Sequence, residues 1–300
     1  MKSEIEGCLL SALCWCPVSL DISLPSKCEE INTGPEMKKA RQPIVFAVTF
    51  VRHGETQANK EHRIQGHLDI PLSPHGESQA LQAGVRMKDT AFSRAYSSDL
   101  SRAYTTCQII LGENCCQPPS IVVDEILRER NFGSVEGVHI DEFRSQAEAE
   151  GKSWTDFNPP GSESLGDLQA RMVKFFKEMC QSVYDKNKDS ARDDVIEQDK
   201  MVEAEKNGVE DLQTMDLSDA VEHLLVVGHG AALKQLYIHL HSTLGCPLPP
   251  QHTHPQPLTV ISPNSGISQY LVRYMPKKYN LLCLKLHDGD HLQHCPQQES

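Results

Sequence analysis

The sequence predicts an α/β protein: a three-layer α/β/α sandwich around a mainly parallel central sheet. Three observations predict it. From Ile44 onward, short apolar runs alternate with stretches of helical periodicity, the pattern that builds parallel sheets. Two of those runs, Ile44–Val51 and Leu224–Val227, end at glycine-flanked histidines, Arg52-His53-Gly54 and Gly228-His229-Gly230. In open α/β sheets, ligands bind outside the carboxyl ends of strands. Finally, 300 residues with an ordinary 39% apolar content can bury a sizeable core.

The elements follow in order. Ile44–Val51 reads as a buried strand. Gly76–Lys88 carries a helical pattern, with Ser73 as its cap and Pro74 in its first turn. Arg94–Ser97 is a short strand, followed by a helix from about Asp99 to Leu111. Ile121–Val123 is another strand. Leu165–Tyr184 is a strong helix, with Leu165, Leu168, Met172, Phe175, Phe176 and Met179 near helical spacing. Leu224–Val227 is a strand and Ala231–Leu240 a helix. Leu258–Ile261 and Ile267–Tyr274 suggest a hairpin around Pro263-Asn264-Ser265-Gly266, and Leu281–Leu286 a last strand.

The flanks divide the chain. Residues 1–42 read as a disordered extension, with Met37 as an alternative start. Residues 43–288 form the folded domain, and 289–300 a tail. Between Asp185 and Glu222 stand thirteen Asp/Glu against five Lys/Arg, so eight of the chain's twelve net negative charges lie there. That acidic insert, about 185–220, reads as a solvated loop.

Net charge −12 argues against nucleic-acid binding, which needs a basic footprint. No stretch reaches the ~18 apolar residues of a membrane span. Eleven scattered cysteines, with no CxxC pair and no glycosylation sequon, fit a reduced, cytoplasmic chain. No P-loop is present. The histidines at His252, His254, His287, His291 and His294 lie in a loop and the C-terminal tail, and no metal site is read from them. Protein partners cannot be read from the sequence.

The chemistry-bearing residues point to phosphoryl transfer. Arg52 offers a planar fork to phosphate oxygens beside His53, and Gly54 lets a phosphate approach the backbone. Asn59 follows among polar donors, then Gln65-Gly66 in a loop. Arg102 falls early in a helix, where its charge adds to the helix N-terminal amides. Glu129, in Leu127-Arg128-Glu129-Arg130, is a candidate acid and base.

Together these motifs resemble the histidine phosphatase superfamily, with its phosphoglycerate-mutase-like fold, over about Val45 to Val272. They are Arg52-His53-Gly54-Glu55-Thr56 with Asn59, Ser98-Asp99-Leu100-Ser101-Arg102, Leu127-Arg128-Glu129-Arg130 and Gly228-His229-Gly230, in family order. Within it the chain is most similar to the fructose-2,6-bisphosphatases that regulate glycolysis and apoptosis. Phe157-Asn158-Pro159-Pro160-Gly161-Ser162-Glu163-Ser164-Leu165 and Ser262-Pro263-Asn264-Ser265-Gly266 carry that likeness.

The resemblance implies that His53 attacks phosphorus and that Arg52, Arg102 and His229 bind the equatorial oxygens. It implies Glu129 as proton donor and then acceptor, and Asn59, Gln65, Gly66 and Gly230 as further substrate contacts. No metal and no cofactor are implied. The substrate would be a small phosphorylated sugar or phosphoglycerate, fructose-2,6-bisphosphate first, so that the enzyme restrains glycolysis. The alternatives are a phosphoglycerate mutase or bisphosphoglycerate phosphatase, and a non-catalytic or protein-phosphatase signalling module. Against a mutase, the stretch Ser145–Ser164 has Lys152 as its only basic residue.

Overall fold

The computed structural model describes residues 42–189, 212–250 and 257–294. The expected disordered extension and most of the acidic insert lie outside them.

Six strands form one sheet in the order β3-β2-β4-β1-β5-β6. They are β1 (Ile44–Arg52), β2 (Arg94–Ser97), β3 (Ile121–Val123), β4 (His223–Gly228), β5 (Ile267–Met275) and β6 (Lys278–Asp288). β3, β2, β4 and β1 run parallel, while β5 is antiparallel to β1 and β6 to β5. The mainly parallel sheet is therefore extended by an antiparallel hairpin at one edge.

The helices are α1 (Gln57–Lys60), α2 (Pro74–Arg86), α3 (Ser101–Gly112), α4 (Ile140–Ala149), α5 (Leu165–Asn187) and α6 (Gly230–Ile238). β1 explains the layering. Phe46, Val48 and Phe50 join a core with the buried faces of α5 and α6. Val51, one step out of phase, joins the core made with α2 and α3. Consecutive strand residues point to opposite faces, so a strand covered on both sides is apolar throughout. Fully burying Phe46 and Phe50 contributes about 1.5–3 kcal/mol each.

Local chemistry sets most boundaries as read. Ser73 caps α2 through its hydroxyl, which accepts from Gly76 N at 3.0 Å, and Pro74 opens the helix. α6 starts one residue early and stops at Ile238, where a five-residue π turn, His239–Thr243, takes over. α1 and α4 are not foreseen by the sequence reading. α4 belongs to a small satellite core of Ile64, Val135, Phe143, Ala147 and Phe157.

The expected hairpin around Pro263–Gly266 does not form. Pro257–Thr259 is a 3-10 turn, and the hairpin is made by β5 and β6 around Pro276-Lys277, with Lys277 at φ +71°. The physical reason lies in the amides of the 262–266 loop. Pro263 has none, and Ser265 N donates to Arg52 O (3.0 Å) and His53 O (3.2 Å), so the loop is committed to the end of β1.

The edges of the acidic insert are structured. Asp185–Asn187 complete α5. Leu212 is fully buried against Ala47 and Leu271. Among the described residues no cysteine is paired and no helix is long and apolar enough to cross a membrane.

Candidate active site

The sheet register builds the centre of the site. In the β1–β4 pair Arg52 stands opposite Gly228, and His53 N donates to Gly228 O at 2.9 Å. His53 and His229 therefore leave neighbouring strand ends together, with ring centroids 5.1 Å apart.

Their hydrogen bonds assign complementary tautomers. His53 Nδ1 donates to Gly54 O at 2.7 Å, so Nε2 keeps a lone pair. His229 Nδ1 accepts from Arg102 Nε at 3.2 Å, so Nε2 carries the proton. That Nε2–H is buried without a protein partner. Burial, reinforced by the nearby Arg102 and Arg52 charges, holds both imidazoles well below their ordinary pKa. Both rings are neutral at pH 7. One presents a nucleophilic lone pair and the other an unspent donor.

Arg102 is the second residue of α3 and is fully buried. Its guanidinium donates to Leu68 O (2.7 Å) and Gly66 O (2.8 Å) as well as to His229. Burial lowers its pKa, as it lowers that of Arg52 to about 10. Arg52 Nη1 donates to Ser262 O at 2.8 Å, while its buried Nε has no protein partner. Orphaned buried donors on Arg52 and His229 are what an anion would satisfy.

Glu129 approaches from the loop between β3 and α4. Its Oε2 accepts from Ala231 N (3.0 Å), and its Oε1 from Ala232 N (3.0 Å) and Arg130 N (2.8 Å). The first turn of α6 thus holds the carboxyl group. The flanking arginines are spent elsewhere. Arg128 pairs with Asp99, and Arg130 donates to Phe157 O, Glu163 O and Asn158 Oδ1.

The supporting glycines are sterically required. A Cβ on Gly54 would stand 2.3 Å from Gly76 O, and one on Gly230 2.6 Å from Ile261 Cγ2. Gly66 has φ +53°, and its Cβ would meet the Glu136 carboxylate at 2.0 Å. Asn59 Oδ1 accepts from Thr56 N (3.2 Å) in a capping box, so its NH2 end remains for a ligand. Gln65 Oε1 is buried without a partner.

A cavity of about 900 Å³ opens over this centre. Arg52, His53, Asn59, Gln65, Gly66, Arg102, Glu129 and Gly230 line it, with His229 packed behind His53. Its outer part is edged by Arg63, Arg144, Lys234 and the half-exposed Trp154. In all, six Arg/Lys side chains line the cavity against Glu129 and Asp156, a basic pocket in an acidic chain.

Two supports are missed by the sequence reading. Arg171, on α5, donates to the carbonyls of Ile126 (2.6 Å), Arg128 (2.7 Å) and Glu129 (2.9 Å) and forms a bidentate pair with Glu163. Thr106 Oγ1 accepts from Gly54 N at 3.0 Å and ties α3 to the histidine loop. Arg171 is the seventh residue of α5, between Leu168 and Met172 of the helix's buried apolar face, the one available signal.

The profile of the histidine phosphatase superfamily (branch 1) matches residues 48–191. The fructose-2,6-bisphosphatase TIGAR B of Danio rerio is 36% identical over 230 residues, covering 76% of this chain and 87% of its own.

The chain belongs to the histidine phosphatase superfamily.

The fructose-2,6-bisphosphatase TIGAR of Bos taurus is 33% identical, again over 76% of this chain and 88% of its own. Among solved structures, the phosphoglycerate mutase of Bacillus anthracis superposes with a TM-score of 0.58 at 22% identity. It covers 84% of this chain and 96% of the mutase. That likeness speaks for the phosphoglycerate-mutase-like fold alone.

Proposed function

We propose that this chain hydrolyses a small phosphate ester, fructose-2,6-bisphosphate first, through a phosphohistidine on His53. The observation that carries the reading is the complementary pair of neutral imidazoles, a bare His53 Nε2 beside an unspent His229 Nε2–H. Similarity to fructose-2,6-bisphosphatases supports the substrate. Arg63, Arg144 and Lys234 add positive charge at the outer cavity, where a second phosphate would compete with Glu61, Asp141 and the Thr259 carbonyl for them.

His53 Nε2 attacks phosphorus and the P–O ester bond breaks, while Glu129 gives its proton to the departing sugar oxygen. The Nδ1–H bond to Gly54 O holds the phosphorylated ring in place. Arg52, Arg102 and His229 bear on the oxygens as charge spreads over them. Water then attacks the phosphohistidine, the P–N bond breaks, and Glu129 takes the water's proton. His53 and Glu129 return to their starting forms.

Hydrolysis is favoured over mutase activity by the fate of Lys152. It pairs with Glu150 at 2.8 Å and lies over the Phe157 ring, outside the cavity lining. Few cations are left on that segment to retain a released phosphoglycerate.

The test is rapid acid-free quenching during turnover of fructose-2,6-bisphosphate with EDTA present. Base-stable, acid-labile phosphate on His53 is the expected result. Loss of activity with EDTA, or a trapped phosphate on another residue, would sink the proposal.

A further inference from the structure

Two histidines at the far end of the chain have no part in this chemistry, yet they hold the loop that holds the site. His287 lies in β6 at φ +58°, a conformation uncommon outside glycine. Its Nε2 donates to Pro257 O at 3.0 Å, which leaves Nδ1 to accept from Ser262 Oγ at 2.6 Å. His291, in the following 3-10 turn, bonds through Nε2 to Ser265 O at 3.0 Å. Both sets of partners lie in one loop, 257–266.

That loop is the support of the β1 end. Ser262 is almost fully buried, and its carbonyl accepts from Arg52 Nη1 at 2.8 Å. Ser265 N donates to Arg52 O and His53 O, and Asn264 Nδ2 to His53 O at 3.1 Å. The Ser262 carbonyl fixes one corner of the Arg52 guanidinium. Its orphaned Nε is thereby aimed by a residue whose own hydroxyl is tied to His287.

We infer that His287 is a positioning residue for phosphoryl transfer: through Ser262 it sets where the Arg52 guanidinium meets the phosphate. The inference rests on Arg52 being a phosphate ligand. A backbone in the left-handed region persists when its surroundings over-determine it, and here the β5–β6 register shift, the His287 N–H bond to Ser268 Oγ (3.0 Å) and the two side-chain bonds all act on it. A residue held only for the end of β6 would be improved by glycine, which accepts that φ freely.

The experiment turns on that contrast. His287→Gly in the full chain suits the backbone and deletes both side-chain bonds. Its kcat for fructose-2,6-bisphosphate should fall about tenfold, within the ~10²-fold that a small misplacement can cost. The melting temperature should fall by roughly a few degrees, and equally in the Arg52→Lys background, because the lost ring contact with Tyr237 at 5.5 Å does not involve Arg52. In an Arg52→Lys background the loss from His287→Gly should shrink to less than about twofold, since the group being positioned is gone. Ser262→Ala, which removes the hydroxyl alone, should lower kcat in the same direction and add nothing to His287→Gly. It carries the same test if the glycine variant fails to fold. Unchanged kcat in the folded variants, or losses that multiply undiminished with Arg52→Lys, would overturn the inference while leaving the phosphatase reading intact. Near-normal turnover by Arg52→Lys alone would overturn the inference by removing its premise, whereas the phosphatase reading falls only if phosphate is trapped on a residue other than His53.

Discussion

His53 reaches the cavity, with His229 packed against it, from the ends of two paired strands, whereas Glu129 reaches it from a loop with no strand partner. The histidines owe their separation to backbone register, with His53 N bonded to Gly228 O. Glu129 owes its place to the α6 amides at its carboxylate and to side chains behind it: Arg171 gathers the carbonyls of residues 126, 128 and 129, and Glu163 holds Arg171. Register is shared by many ladder bonds, and no single side chain controls it. The proposed acid's place depends on a few separate contacts: the α6 amides at its carboxylate and one guanidinium at its carbonyl. The nucleophilic half should therefore fail by loss of its reacting groups, and the acid half also by loss of a support.

The largest effect is expected at the proposed nucleophile. His53→Ala should lower turnover by ~10⁴-fold or more for every ester, with the fold retained, because no neighbouring group can form the intermediate. Steady-state assays on alkyl and aryl phosphates check this, and surviving turnover of either class would break the assignment.

Glu129→Gln should separate the two halves. Loss of a general acid costs ~10²–10⁴-fold, but aryl leaving groups need little protonation. Turnover of fructose-2,6-bisphosphate should collapse while phosphorylation of His53 by p-nitrophenyl phosphate persists. Equal losses on both substrates would argue that Glu129 orients phosphate and transfers no proton.

Arg171→Met sharpens the comparison, since it keeps Glu129 itself and removes one of its supports. Arg171 and Glu163 are about one-fifth exposed, so stranding Glu163 should cost roughly 2–3 kcal/mol, below the cost at a fully buried pair. Activity on the sugar phosphate should drop about tenfold, more than on the aryl ester, because a displaced acid matters only where a proton is needed. Thermal melts and the ratio of the two rates measure the two effects.

The smallest effect concerns pH. His223 is held down to about 4 by burial, and His53 and His229 lie well below their ordinary value. Unfolded histidines bind protons below about pH 6.5 that these folded ones do not. Stability should therefore be constant above that pH and fall as the pH drops beneath it, by at most ~1.4 kcal/mol per unit for each group. His223 accepts or donates only within the Thr49 and Gln269 network under the sheet, away from the cavity. His223→Gln should flatten the acid slope and leave kcat near the parent value. Denaturant titrations between pH 5 and 7 decide it.

How far the site is legible in the sequence depends on which half is considered. The strand-end histidines, Arg102 and Glu129 stand in short motifs because phosphate chemistry restricts residue type. Arg52, Asn59, Gln65, Gly66 and Gly230 follow from the same local stretches. Arg171 and His287 do not, since their partners are carbonyls 42 to 45 and 30 residues away and a carbonyl has no signature in sequence. The misplaced hairpin has the same origin. Leu258–Ile261 has the apolar character of a strand, but strand pairing needs free amides at the right edge. In the neighbouring loop Pro263 has no amide, Ser265 N is taken by the end of β1 and Gly266 N turns back to Pro263 O.

By itself the sequence determined the α/β class, the strand and helix order through most of the chain, and the residues proposed to react. Periodicity and residue chemistry are local properties, and local properties survive in a string of letters. The tertiary structure alone decided the register that brings His53 and His229 to 5.1 Å, the tautomers their partners impose, and the α6 amides that hold Glu129. Each of these depends on distances between segments remote in the chain. The core sets those distances by packing both faces of one sheet at once.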